Sequence, residues 1–193
     1  TNTTAVDLAT STVGGDLDVT ATAGGITDSG DLSVGGEASF TSDSITIGES
    51  GENTNFGSLT ADTSGANGNQ IITEDSGLTG LDLDAGSGDV TLNVNGVVTD
   101  GDSDTDIEGT TASVTVGDGT DGANFGAMGG GDNNIDTDVD NLNVDTSGTN
   151  SSGTQWIDEF DGLTTLDLDA GDGNVVLVAG GAIIDGDSST DIE

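Results

Sequence analysis

Carboxylates at nearly every second position form the clearest chemical pattern in the sequence. The segment TDGDSDTDIE ends at Glu108, and IDGDSSTDIE ends at Glu193. A hard cation such as Ca2+ takes about six to eight oxygen ligands, which closely spaced carboxylates can supply. The pattern therefore predicts a calcium site in each segment, with calcium as the one cofactor that the sequence suggests. The candidate ligands are Asp100, Asp102, Asp104, Asp106, Glu108, Asp185, Asp187, Asp191 and Glu193.

A solvated acidic turn is the alternative interpretation of both segments. The spacing is not that of an EF-hand loop, in which a Gly at position six follows the first ligands, because Ile107 follows Asp106 here. The second segment also has Ser189 where the first has Asp104. From the residues alone, both interpretations stay open.

The composition excludes most other chemistry. The chain has 37 Asp and Glu residues in 193 and contains no Lys, Arg, His, Cys, Pro or Tyr, so its formal net charge is -37. Without basic residues it cannot neutralise phosphates, so we expect no nucleic-acid partner. Without imidazole or thiol groups, and with one Trp as a sugar platform, we expect no enzyme and assign no catalytic residue. The longest apolar run, 175–184, is about half of the roughly 20 residues that a membrane-spanning helix needs, so we expect no membrane insertion.

Internal repeats divide the chain into two units. Residues 77–108 and 162–193 are identical at 21 of 32 positions without a gap, and 44–59 resembles 113–128. We therefore place the first unit at 1–108 and the second at 109–193. The start TNTTAV also resembles GTTASV, which follows Glu108. This common phase indicates either a stretch of a longer array or a subunit suited to end-to-end stacking, and we expect copies of the chain to associate head to tail.

Within each unit the apolar period is two, which predicts β-strands. Leu81-Asp82-Leu83-Asp84 alternates aliphatic and acidic residues, and Gly-rich corners separate such segments. Short strands, Gly corners and long repeats favour an all-β parallel β-helix, or β-solenoid, of eight or nine coils. Tandem β-sandwich repeats are the alternative. We expect Phe56, Phe125 and Trp156 in the interior.

One stretch of the first unit resembles a known family. GGDLDVTATAGGITDSGDLSVGGEASF at 14–40, followed by SITIGESGENTNFGSL at 44–59, is similar to repeats of giant bacterial surface proteins related to filamentous haemagglutinin-type adhesins. The resemblance implies an exported, right-handed parallel β-helix that acts as a fibre or stalk, often in adhesion. It brings no catalytic residues with it.

These observations predict a structural module of an extracellular bacterial fibre, stalk or sheath at the cell surface. Its expected partners are copies of itself and cations bound at the acidic surface, and we expect stability to rise with calcium or ionic strength. The alternative is a calcium-dependent adhesin that binds glycans or another cell surface.

Overall fold

The structure is a computed structural model that describes residues 1–49, 51–128, 133–184, 186 and 191–193. These residues form β-strands and no helix, so no membrane-crossing helix occurs among them. The strands are β1 (Val6–Leu8), β2 (Ser11–Val13), β3 (Leu17–Thr20), β4 (Ile26–Asp28), β5 (Leu32–Thr41), β6 (Ile45–Ile47), β7 (Thr54–Asp62), β8 (Gln70–Glu74), β9 (Leu81–Asp84), β10 (Asp89–Val94), β11 (Ile107–Val116), β12 (Ile135–Asp145), β13 (Gln155–Glu159), β14 (Thr165–Asp169) and β15 (Val175–Ala179).

The strands stack in parallel into three columns along one axis. The first column runs through β1, β4, β6, β8, β10, residues 111–116 of β11, residues 141–145 of β12, and β14. The second runs through β3, the ends of β5 and β7, β9, the starts of β11 and β12, β13 and β15. The third column consists of β2 and the starts of β5 and β7. Single parallel bridges outside these columns also join successive turns, from Leu78 through Val98 and Phe125 to Gln155.

This arrangement is a β-solenoid of about eight turns, as the sequence predicts. Every pairing between the fifteen strands is parallel, which excludes the alternative of antiparallel β-sandwiches. Strand β11 crosses the boundary between the two sequence units, so the stack continues through Glu108.

Inward side chains form ladders, and each residue packs on its equivalent in the next turn. One ladder of the first column consists of Ile47, Ile72, Leu92, Val114, Val144 and Leu168, each at most 1% exposed. Burying one such side chain contributes about 1.5–3 kcal/mol. Phe56 and Phe125 are 1% and 0% exposed, which confirms their predicted interior position. The core therefore consists mainly of stacked aliphatic residues, with buried phenylalanines among them.

Two buried amides join neighbouring turns at equivalent places in the two units. The Gln70 Nε2 group donates to the carbonyl oxygens of Ala61 and Asp84, both at 2.9 Å. The Gln155 Nε2 group, 85 residues later, donates to the carbonyl oxygens of Val144 and Asp169, both at 3.0 Å. Each amide therefore bonds to backbone acceptors on two strands that pair with each other in adjacent turns.

The predicted interior position of Trp156 is wrong, because the inward positions of β13 belong to Gln155, Ile157 and Glu159. Side chains alternate along a strand, so Trp156 faces outward and is partly exposed. Its counterpart Ile71 on β8 has the same orientation.

Equivalent strands of the two units lie in different columns. Strand β8 belongs to the first column, whereas its counterpart β13 belongs to the second. Strand β9 lies in the second column, and its counterpart β14 in the first. The shift follows an unusually long turn, in which 30 residues separate the paired Ala112 and Leu142, compared with 20 between Gln70 and Val90. The repeat in sequence is therefore not a whole number of turns in space.

Candidate metal centre

The first acidic segment places three carboxylates together. Asp100, Asp102 and Asp106 lie in the connection between Val98 and β11, and each contributes a carboxylate oxygen to a group in which all lie within 4.8 Å of one another. Asp100 and Asp106 are only 6% and 1% exposed, whereas Asp102 is exposed. Two of the three carboxylates are thus held inside the fold, and the third faces solvent.

Backbone N–H groups fix the orientation of these carboxylates. The Asp102 N–H donates to Oδ2 of Asp100 at 2.7 Å, and the Asp104 N–H donates to Oδ1 of Asp102 at 2.9 Å. The Asp136 N–H of the next turn donates to Oδ2 of Asp106 at 2.6 Å. The alternating Asp pattern therefore produces two successive side-chain turns, in which Asp100 and Asp102 each accept an N–H two residues later, whereas Asp106 is held by the next turn of the solenoid.

Burial and mutual repulsion disfavour three negative charges in this group. Burial, and after it the carboxylates of Asp100, Asp136 and Asp102, raise the pKa of Asp106 to about 8 against the lowering effect of the Asp136 N–H. The pKa of the neighbouring Asp82 is also raised, by burial first and then by the surrounding carboxylates. Because the chain has no Lys, Arg or His, a proton or an external cation must offset this charge.

The other predicted ligands lie outside this group. Asp104 is exposed, and Glu108 is exposed on the outer face of β11. In the second segment, Asp185 and Asp187 lie outside the described residues. Asp191 is half-buried and Glu193 is exposed at the last turn.

Glu108 instead belongs to a row of acids that crosses four turns. Asp62 pairs with Asp84, Asp84 with Glu108, and Glu108 with Asp138. The pKa of Glu108 is raised, first by burial and then by Asp84 and Asp138. Beside this row lies a groove of about 230 Å³, which Glu108, Asp138, Asp140 and Asp161 line together with small residues. The acidic surface is therefore organised along the solenoid axis.

A second carboxylate group was not predicted from the sequence. Asp138, Glu159 and Asp161 each contribute an oxygen to a cluster within 4.8 Å. Glu159 is 3% exposed, accepts a hydrogen bond from the Thr137 hydroxyl at 2.6 Å, and has a raised pKa because of burial. Its signal in the sequence is the alternation Gln-x-Ile-x-Glu, which places an acid at an inward position of β13.

Glu74 is the counterpart of Glu159 in the first unit and is fully buried. Its Oε2 accepts the Phe56 N–H at 3.1 Å, and its Oε1 accepts the N–H and hydroxyl of Ser76 at 2.9 and 2.6 Å. Burial, with a smaller effect of Asp75, raises its pKa to about 7 despite these hydrogen bonds. Each unit thus contains one interior glutamate with raised pKa.

Comparison with known proteins identifies part of the first unit. Residues 1–60 of the 193 match the model of a family described as repeats of unknown function (DUF5649). No curated protein and no solved structure matches the chain. The matching stretch is therefore a repeat sequence, and the structure gives its fold as strands β1–β7 of the solenoid.

Proposed function

We propose that the chain is a structural module of an extracellular bacterial fibre, stalk or sheath, related to filamentous haemagglutinin-type adhesins. The observation that carries this proposal is the stack of about eight parallel turns around one continuous core. A stack of this kind grows along one axis by about 4.8 Å per turn, so eight turns give about 38 Å. Length is the property that such a module contributes, and copies associated head to tail would multiply it.

We propose further that the acidic surface binds cations, with Ca2+ at the group of Asp100, Asp102 and Asp106. Oxygens from three carboxylates meet there, and two of these side chains are buried. Rows such as Asp84–Glu108 add repulsion, since two unit charges about 5 Å apart in water repel by roughly 1 kcal/mol. Calcium at the group and screening ions along the rows would offset this repulsion and stabilise the stack.

The test compares melting temperatures in EDTA and in millimolar CaCl2, with NaCl adjusted to equal ionic strength. A site whose Kd is one hundredth of the free calcium concentration adds about 2.7 kcal/mol of stability. For a chain of this length, that corresponds to a rise of about 5–10 °C. We expect Asp102→Asn to lose most of this rise.

The matched control is Asp172→Asn, which removes the same charge from an exposed position outside the group. It should retain the calcium effect. An equal response of both variants would show that calcium acts by general screening. A glycan array with and without calcium checks the structural role, because calcium-dependent binding to defined glycans would favour the adhesin function instead.

A further inference from the structure

A cavity of about 230 Å³ opens on the outer face of the second column, between three successive turns. The segment 103–105, the start of β12 and the end of β13 surround it, and β15 pairs with β13 on the far side. The cavity therefore lies at neither end of the stack. Sites for whole small molecules are typically about 300–1,000 Å³, so this cavity suits a single side chain.

Phe160 forms one wall of the cavity and presents an aromatic ring to solvent. It follows β13 directly, and its N–H donates to the Thr137 carbonyl oxygen at 2.8 Å, which fixes its position between turns. Phe160 is nevertheless 75% exposed. The residue beside it in the next turn is Gly180, where a Cβ would meet the Phe160 carbonyl oxygen at 2.0 Å. Because glycine has no side chain, the next turn leaves the ring uncovered.

Asp158 lines the same cavity, and its neighbours supply no donor for one of its oxygens. It pairs with Asp136 in the preceding turn and with Val178 in the following one. Neither an ionised carboxylate nor an isopropyl group can donate a hydrogen bond. Within the described residues, Asp158 Oδ1 is buried and has no hydrogen-bond partner. Since the sequence contains no Lys, Arg or His, none of its side chains can supply a cationic donor.

The first unit lacks the aromatic and acidic groups at the equivalent positions. Strands β8 and β13 share their inward residues Gln, Ile and Glu, but their outward positions differ. The outward residues are Ile71, Thr73 and Asp75 in the first unit, and Trp156, Asp158 and Phe160 in the second. Packing of the stack depends on the inward residues, which are unchanged. The differences on the outer face therefore point to a role other than packing.

We infer that this cavity binds the guanidinium group of an arginine side chain on a basic partner protein. An aromatic face attracts a cation, and the planar guanidinium stacks on aromatic rings. Phe160 would stack on the group, while Asp158 and Asp136 would accept its N–H groups as charge-assisted hydrogen bonds. The hydroxyl oxygens of Ser103 and Thr105, which also line the cavity, would accept further N–H groups.

The composition of the cavity favours this occupant over the other two that it suggests. Calcium takes oxygen ligands, so the exposed ring would contribute nothing to its binding. A neutral sugar would stack on the ring, but it would leave the charges of Asp136 and Asp158 without a counter-charge. The inference goes beyond the fibre and calcium roles and does not rest on either of them.

The experiment follows NMR chemical shifts of the isotope-labelled full chain in EDTA and about 0.15 M NaCl, where exposed charges are screened beyond about 8–10 Å. The probe is the peptide acetyl-Gly-Arg-Gly-amide, and its control is the same peptide with citrulline, the uncharged counterpart of arginine. We expect saturable shifts at Asp158 and Phe160 with the arginine peptide alone. Thr73 and Asp75 should not respond, which makes the first unit an internal control.

Variants of equal charge isolate the contribution of the ring. Phe160→Tyr keeps an aromatic face and should bind the arginine peptide like the wild type. Phe160→Leu keeps apolar bulk without the ring, and its affinity should fall about two- to fivefold, as expected for an exposed cation–π contact. Asp158→Asn should weaken binding by about fivefold or more, whereas the matched control Asp172→Asn, at an exposed position outside the cavity, should not.

Several outcomes would overturn the inference. One is an arginine peptide that shifts neither Asp158 nor Phe160, and another is a citrulline peptide that binds equally well. Equal affinities of the wild type and Phe160→Leu would show attraction by charge alone. A parallel titration with maltose tests the glycan alternative, since shifts at these residues with the sugar but not with the arginine peptide would favour a glycan partner. A chain without any calcium response could still bind the arginine peptide, so the two tests fail separately.

Discussion

The interior glutamate Glu74 predicts a solenoid that becomes less stable as the pH rises through neutrality. Its pKa is about 7 in the folded chain, against an ordinary value of 4.5. Between these values the folded state holds a proton that the unfolded state has released. The stabilisation is therefore fully present below about pH 4.5 and is lost as the pH rises through about 7. The difference of about 2.5 pKa units corresponds to about 3 kcal/mol.

The substitution Glu74→Gln should remove the part of this pH dependence that Glu74 contributes, leaving the parts due to Asp106 and Glu159. An amide presents N–H groups toward either the Phe56 N–H or the Ser76 N–H, so the variant loses one backbone hydrogen bond at every pH. We expect it to be less stable than the wild type at pH 5 by about 1–3 kcal/mol. At pH 8.5 that deficit should shrink by about 3 kcal/mol or reverse, because the wild type alone must then bury the charge.

The assay is urea unfolding from pH 4.5 to 8.5 at constant ionic strength in EDTA. Glu49→Gln is the matched control, because Glu49 is exposed and its replacement should leave the slope of stability against pH unchanged. Parallel curves for the wild type and Glu74→Gln would refute the reasoning, because the glutamate would then titrate alike in the folded and unfolded states.

Two further predictions concern the packing between turns. A Cβ at Gly68 would overlap the Asp43 carbonyl oxygen, so Gly68→Ala should lower the free energy of unfolding by about 1–3 kcal/mol. The control Gly65→Ala places its Cβ in open space and should not lower it. Equal free energies of unfolding for the two variants in urea would contradict this prediction. Gln70→Glu replaces a donor to two carbonyl oxygens with a charge, so it should lower the free energy of unfolding by about 3 kcal/mol at pH 8 and by less at pH 5. The control Gln70→Met carries no charge and should show no such pH dependence. Thermal melts at both pH values measure this, and identical profiles for the two variants would count against it.

The sequence predicts the strand pattern because aliphatic side chains alternate in it. Leu81 and Leu83 face inward and Asp82 faces outward, as the period of two requires. The same period misplaces Trp156, since alternation gives the spacing of inward positions but not which set is inward. In β13 the inward residues include Gln155 and Glu159, and because these are polar, the sequence does not show that their side of the strand faces the core.

The carboxylate groups could be predicted only in part. Asp100, Asp102 and Asp106 come together because one connecting segment holds them, which spacing along the chain can indicate. The group of Asp138, Glu159 and Asp161 joins residues from different turns, so its detection requires the register between turns. That register depends on the length of each connection, and the 30-residue turn from Ala112 to Leu142 follows no periodic rule.

The exchange of columns between the two units has an evolutionary consequence. A duplicated unit that is not a whole number of turns presents its inherited residues on a different side of the molecule from the ancestral copy. Residues selected on one side before duplication would be separated from their copies afterwards, so a uniform binding surface along one side would have to arise again in each unit. Features that do not depend on direction, such as negative charge and stacking, would instead survive every duplication unchanged.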